Sequence, residues 1–142
     1  MIPVIIGVGD VRNRSTKVED AKEPAQLMLE AIEIALSDSK CPSATSQKLK
    51  TSIDSLSVVQ TWTWPYADLP GLLAEKLGAN PTYKHCSEHG GNQPAKLVDE
   101  AALRVASGES SVAVVTGGEA LASCTYSCLE RSLVDYRLAE AW

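Results

Sequence analysis

The chain has 142 residues, 44% of them hydrophobic and 22% charged, enough for one domain with its own core and too short for a two-domain enzyme. Its formal net charge is −5, and its 13 Lys and Arg are scattered among 18 Asp and Glu. That balance opposes nucleic-acid binding, which needs clustered cations to release counterions from phosphate, and no stretch approaches the ~20 apolar residues of a membrane span.

The apolar run at residues 3–8 ends at Gly9-Asp10 and reads as a first buried strand. No basic region precedes it, and Asp10, Arg12 and Arg14 follow at once, so it does not read as a signal peptide. The polar stretch 11–22 reads as a loop. Pro24 then suits the first turn of a helix and Glu23 its positive end, while Leu27, Met28, Ala31, Ile34 and Ala35 recur with helical period to about Asp38. Residues 39–52 read as connection, with a possible extra helical turn at 47–50.

A second strand is expected over 53–60, where alternation gives way to β-branched residues. The following Thr61-Trp62-Thr63-Trp64-Pro65 loop either packs on the sheet end or lines a pocket or subunit contact. Leu69-Pro70-Gly71 opens a short helix through Leu72, Leu73 and Leu77, with Gly78 as its cap, and 81–84 extends as a short strand. Next comes a polar turn, Cys86-Ser87-Glu88-His89-Gly90-Gly91-Asn92. Asn92 is expected to cap a helix whose buried stripe is Leu97, Val98, Ala101, Ala102 and Val105, ended by Gly108. A strand at 111–116 stops at Gly117-Gly118. This order of alternating strands and helices predicts an α/β fold, a mostly parallel sheet with crossover helices. Residues 1–123 are expected to form that domain, and 124–142 a helical or poorly packed extension.

The four cysteines, at 41, 86, 124 and 128, read as reduced thiols, since the pair Cys124 and Cys128 lacks the further ligands a structural zinc site needs. No metal is expected. Gly7-Val8-Gly9 lacks the spacing of a dinucleotide fingerprint. In the polar turn, Cys86 is either a nucleophile served by His85 or His89, or a half-buried strand-end thiol. Gly90 and Gly91 suit a close backbone approach or a left-handed turn, and Glu119 an acid or a salt-bridge partner.

Five motifs in combination carry a resemblance: Val4-Ile5-Ile6-Gly7-Val8-Gly9, Glu23-Pro24, Pro70-Gly71-Leu72-Leu73-Ala74-Glu75-Lys76-Leu77-Gly78-Ala79, Gly90-Gly91-Asn92-Gln93-Pro94 and Val114-Val115-Thr116-Gly117-Gly118-Glu119-Ala120-Leu121. Together they resemble the amino-terminal part of the thiolase superfamily, near its acetyl-CoA acetyltransferase-like, sterol-carrier-protein thiolase branch. The resemblance covers residues 3–123. It implies the three-layer amino-terminal half of a thiolase-like fold and acyl transfer to or from coenzyme A, with the acyl-CoA thioester as substrate and no tightly bound cofactor.

In that superfamily a cysteine at a helix amino end attacks the acyl group, and a later domain supplies histidine and a second cysteine. A helix amino end favours thiolate, which is the physical reason for that placement. Alignment of the helix start puts Gly90 where that cysteine would stand, with Cys86 four residues too early for attack geometry. Asn92 could then donate to an acyl carbonyl or simply cap. The resemblance therefore implies an acyltransferase that is incomplete and inactive as this chain, or else a non-catalytic truncated thiolase-like interaction domain or vestigial product. It also implies a homodimer through residues 85–94 and the Trp62-Trp64 loop, and a missing thiolase second domain as partner. Cytoplasm is the default location, with the peroxisome left open although the terminal Ala139-Glu140-Ala141-Trp142 is not a Ser-Lys-Leu-type address.

Overall fold

The computed structural model describes residues 2–15 and 17–121. The centre is β1 (Ser55–Val58), flanked by β2 (Tyr83–Cys86) and β3 (Ala113–Thr116) in a parallel sheet of order β2-β1-β3. Val58 lies in register with Cys86 on one side and with Thr116 on the other. Parallel neighbours need crossovers, supplied by α3 (Leu69–Leu77) between β1 and β2 and by α4 (Gln93–Ser107) between β2 and β3. The crossovers run in opposite directions along the sheet, so a common right-handedness puts α3 and α4 on opposite faces.

α1 (Pro24–Asp38) joins α3 on the first face, followed by α2 (Ser43–Thr51). Ala25, Met28, Leu69, Leu73 and Ala74 close over Leu56 and Val58 of β1 there. Each large side chain so buried contributes roughly 1.5–3 kcal/mol of transfer free energy. Ser55 and Ser57 point to the other face and are equally buried, their small size letting α4 lie close with Leu97 and Ala101.

The helix ends are closed by different devices. Asp68 accepts from the Gly71 N–H at 2.9 Å and caps α3, while Gly78 and Gly108, at φ +67° and +84°, end α3 and α4 in the left-handed region that glycine enters without strain. The α1 start is served from a distance: the Tyr66 hydroxyl accepts from the Ala25 N–H at 3.2 Å and donates to Glu23 at 2.9 Å. Asn92 departs from expectation. It stands at the cap position with helical φ and ψ and makes no side-chain cap bond, so α4 starts on Gln93, whose N–H reaches the Gly90 carbonyl.

Residues 3–8 do not form the expected strand. Ile2, Val4, Ile5, Ile6 and Val8 are 52–87% exposed. The segment is lodged along α1 instead: a Cβ on Gly7 would fall 2.0 Å from the Ala35 carbonyl oxygen, and one on Gly9 would fall 1.9 Å from that of Ala31. The Val8 N–H donates to Asp38 at 3.0 Å. Both glycines thus serve a helix contact, and among the described residues the sheet has three strands where four were expected. Val98 also departs from the predicted stripe, being 48% exposed. The expected extension at 124–142 lies outside the described residues.

Candidate functional site

Three strand ends meet at the carboxyl edge of the sheet, where open α/β folds place their ligands. β1 runs on into Val59 and Gln60, β2 into Ser87 and His89, and β3 into Gly117 and Glu119. Ser87 joins two of them: its N–H donates to the Val58 carbonyl at 2.8 Å, and its hydroxyl oxygen accepts from the Gln60 N–H at 3.1 Å. Val59 donates to the Thr116 carbonyl at 2.8 Å, and a Cβ on Gly117 would stand 2.8 Å from that of Val59. Glycine at 117 is therefore a requirement of close strand packing.

Cys86 is half-buried and its thiol donates to Gln60 Oε1 at 3.1 Å. Burial raises its pKa, and the negative charge of Asp68 raises it further. Register adds a geometric reason for a quiet thiol. Cys86 pairs with Val58, whose side chain faces α1 and α3, so the sulfur lies on that face and α4 on the other. The thiol therefore does not lie on the face that α4 covers.

Across the edge, the Glu119 carboxylate accepts from the Trp62 N–H and from the Thr63 hydroxyl, the latter at 2.6 Å. Glu119 is thus a clamp on the aromatic loop. Trp62 is 73% exposed and its ring lies against that of His89, centroids 4.3 Å apart at 42°. The loop is closed from within by Thr61, whose hydroxyl donates to the Trp64 carbonyl at 2.8 Å. Beneath it Tyr66 is held as a neutral phenol, its pKa pushed up by burial and by the Glu23 carboxylate.

The turn predicted from sequence is therefore only partly assembled. Cys86 and His89 both sit at the strand ends, with Gln60 and Trp62 between them as respective partners. His85 falls within β2, its ring 6.2 Å from that of Tyr83 and remote in role from the thiol. Gly90 and Gly91 are not left-handed. A Cβ on Gly90 would come 2.9 Å from Asn92 Oδ1, whereas Gly91 faces open space. Gln60 and Ser87 were not singled out from sequence, because parallel register decides which residues share an edge. A cleft of about 390 Å³ lies elsewhere, lined by Asn13, Ser15, Glu19, Asp20, Lys22 and Gln26. Its polar walls are occupied with one another, Ser15 donating to Asp20 at 2.6 Å and Lys22 pairing with Glu30 at 2.7 Å, so the strand ends remain the better candidate. Among the described residues no three His, Cys, Asp or Glu side chains gather to hold a metal, and no helix is long and apolar enough to cross a membrane.

No protein-family model matches the chain, and no curated protein matches it significantly. Among solved structures, a monomeric SCP2-thiolase like protein type 1 from Mycobacterium smegmatis matches with a TM-score of 0.66 and 25% identity, over 80% of this chain and 22% of that one. The fold is thiolase-like. The thiolase-like chain spans about a fifth of that protein's length, and the match agrees with the three-layer, partial architecture expected from the sequence motifs.

Proposed function

We propose that this chain is one part of a thiolase-like acyltransferase acting on acyl-CoA, and that it transfers no acyl group by itself. The likeness of fold supports the first half of that reading. The second half is carried by one observation: the thiol at the strand ends is half-buried, donates to Gln60 and is set on the sheet face away from α4, while the helix approach carries Gly90. Nucleophilic acyl transfer needs thiolate, a base to manage the proton, and donors for the developing oxyanion. His89 is engaged with Trp62, and Gln60 offers the thiol an acceptor that is not a base.

The chemistry left to this chain is to bind and orient. Trp62 presents an exposed aromatic face beside His89, and Glu119 fixes the loop that carries it. Acetyl-CoA incubated with the isolated chain is expected to leave no acyl adduct in intact-mass spectra and to release no coenzyme A above the blank. An adduct mapped to Cys86 would overturn the reading. A non-catalytic interaction domain is the second reading, favoured by the glycine at position 90. Calorimetric titration with acetyl-CoA separates the two: heat of binding that is lost in Trp62→Ala supports the first, and no heat supports the second.

A further inference from the structure

We propose that the start of α4 binds the primary carboxamide of a small ligand, held between the side chains of Asn92 and Gln93 where a side chain at position 90 would otherwise stand. The inference goes beyond the acyl-CoA reading and does not depend on it. It starts from the point that a Cβ on Gly90 would occupy. Beyond the adjoining residues, the nearest atoms to that point are Asn92 Oδ1 at 2.9 Å, Gln93 Cγ at 3.4 Å and Gln93 Nε2 at 3.6 Å. A carbon so close would crowd the Asn92 oxygen, whereas a hydrogen-bond donor at that distance suits it.

Both side chains are turned to this point and away from the ordinary work of a helix start. Asn92 stands at the cap position with helical φ and ψ and makes no side-chain cap bond, so its oxygen lies over Gly90 instead. Gln93 is 8% exposed, which glutamine seldom is. Among the described residues its carboxamide finds no hydrogen-bond partner. An amide buried in this way has given up water without a replacement, and that deficit is what a ligand group would make good. Gly91 faces open space next to the same point, which leaves a way in.

The pair of side chains selects the chemistry. Asn92 presents an acceptor and calls for an N–H or O–H, while Gln93 presents a donor and calls for an oxygen. The distance from the point to Gln93 Nε2 is too long for one atom to serve both, which disfavours a lone hydroxyl. A primary carboxamide carries N–H and C=O on one carbon, with an N–H on either side, and so meets both. The amino end of a 15-residue helix favours the carbonyl oxygen, the negative end of that group. A carboxylate has the same shape and no donor for Asn92. For the body of the ligand, His89 adjoins Gly90 in the chain and lies against the exposed Trp62 ring, so a flat apolar group has a surface beside the amide.

Benzamide and benzoate, near-isosteres that differ in the donor, test the proposal on the whole chain labelled with 15N. Benzamide is expected to move the side-chain NH2 signals of Asn92 and Gln93 along a saturating curve, and benzoate to bind about tenfold more weakly or less, the equivalent of one lost hydrogen bond. Benzoate binding as well or better would mean an anion at a helix end and overturns the proposal. So does benzamide that leaves both NH2 signals in place. Gly90→Ala fills the point, and because Gly90 is not left-handed the backbone accepts alanine. That variant should keep its circular-dichroism spectrum and lose about tenfold or more in benzamide affinity. Gln93→Met, which keeps the volume and removes the donor, should lose as much even if Gly90→Ala fails to fold. Undiminished benzamide binding in either folded variant overturns the assignment.

Discussion

The two ends of β1 are built differently. At its start Asp54 ties all three strands together through mostly backbone partners. Its carboxylate accepts from the Ser110 hydroxyl at 2.5 Å, the Ser111 N–H at 2.8 Å and the Val112 N–H at 3.2 Å, and its carbonyl accepts from the Tyr83 N–H at 3.1 Å. At the other end the cross-links are made by side chains from loops: Gln60 to Cys86, Ser87 to Gln60, and Glu119 to Trp62 and Thr63. A knot of backbone groups leaves nothing for a ligand to displace, whereas side-chain bonds between loops can be exchanged at small cost. The difference puts the more rigid links at one end of the sheet and the more exchangeable ones at the other, where the candidate site lies.

The largest effect should come from what both ends share. Leu56, fully buried between them, is expected to cost about 2–5 kcal/mol as Leu56→Ala, read by urea unfolding. Asp54→Ala should come next at about 1–3 kcal/mol, since it leaves the Ser110, Ser111 and Val112 donors to find water or go unpaired. Were it no more costly than a change at Glu119, the contrast between the ends would fail.

Acid sharpens the same comparison. Partial burial pushes the Asp54 carboxyl upward, but the hydrogen bonds from Ser110, Ser111 and Val112 outweigh it and hold the group below its ordinary value. A folded-state pKa below the unfolded one means that the ionised form favours folding. That stability is present above the unfolded carboxylate value of about 3.9 and is lost as pH falls from there through the folded value. Asp54→Asn should therefore flatten the loss of stability in that acid window. An unchanged acid profile would show that the carboxylate charge adds nothing to the knot.

Helices and strands that stand on local chemistry were legible in the sequence. The α1 start follows from Pro24, the α3 start from Leu69-Pro70-Gly71, its end from Gly78 and the end of α4 from Gly108, whereas the Asp68 cap of α3 emerges only from the structure. What failed depends on partners that no local pattern names. Residues 3–8 are the more apolar and β-branched of the two, while β1 alternates Ser55 and Ser57 with Leu56 and Val58, yet among the described residues only β1 has strand neighbours on either side. Asn92 has the right chemistry for a cap, but the preceding turn enters the helix with Asn92 already helical. The site was legible as a place and not as an arrangement. Cys86 and His89 were visible, while Gln60 and Ser87 emerge only from the register that puts Ser57 beside His85 and Val58 beside Cys86.

The smallest expected effect tests the candidate-site end alone. Glu119→Ala removes the acceptor for Trp62 and Thr63, but both donors lie where water can replace it, so the loss of stability should stay near or below about 1 kcal/mol. Its consequence should instead be local. Freed from the carboxylate, the Trp62 N–H should exchange faster in deuterium-exchange measurements, while the amides of Ser111 and Val112 at the far end keep their protection. Faster exchange at both ends would mean that Glu119 supports the whole sheet and that the loop is not a separable element. Unchanged exchange at Trp62 would place the loop's order in the Thr61 to Trp64 bond and in the Trp62 contact with His89. The carboxylate would then be available to a ligand without loosening the loop that flanks it.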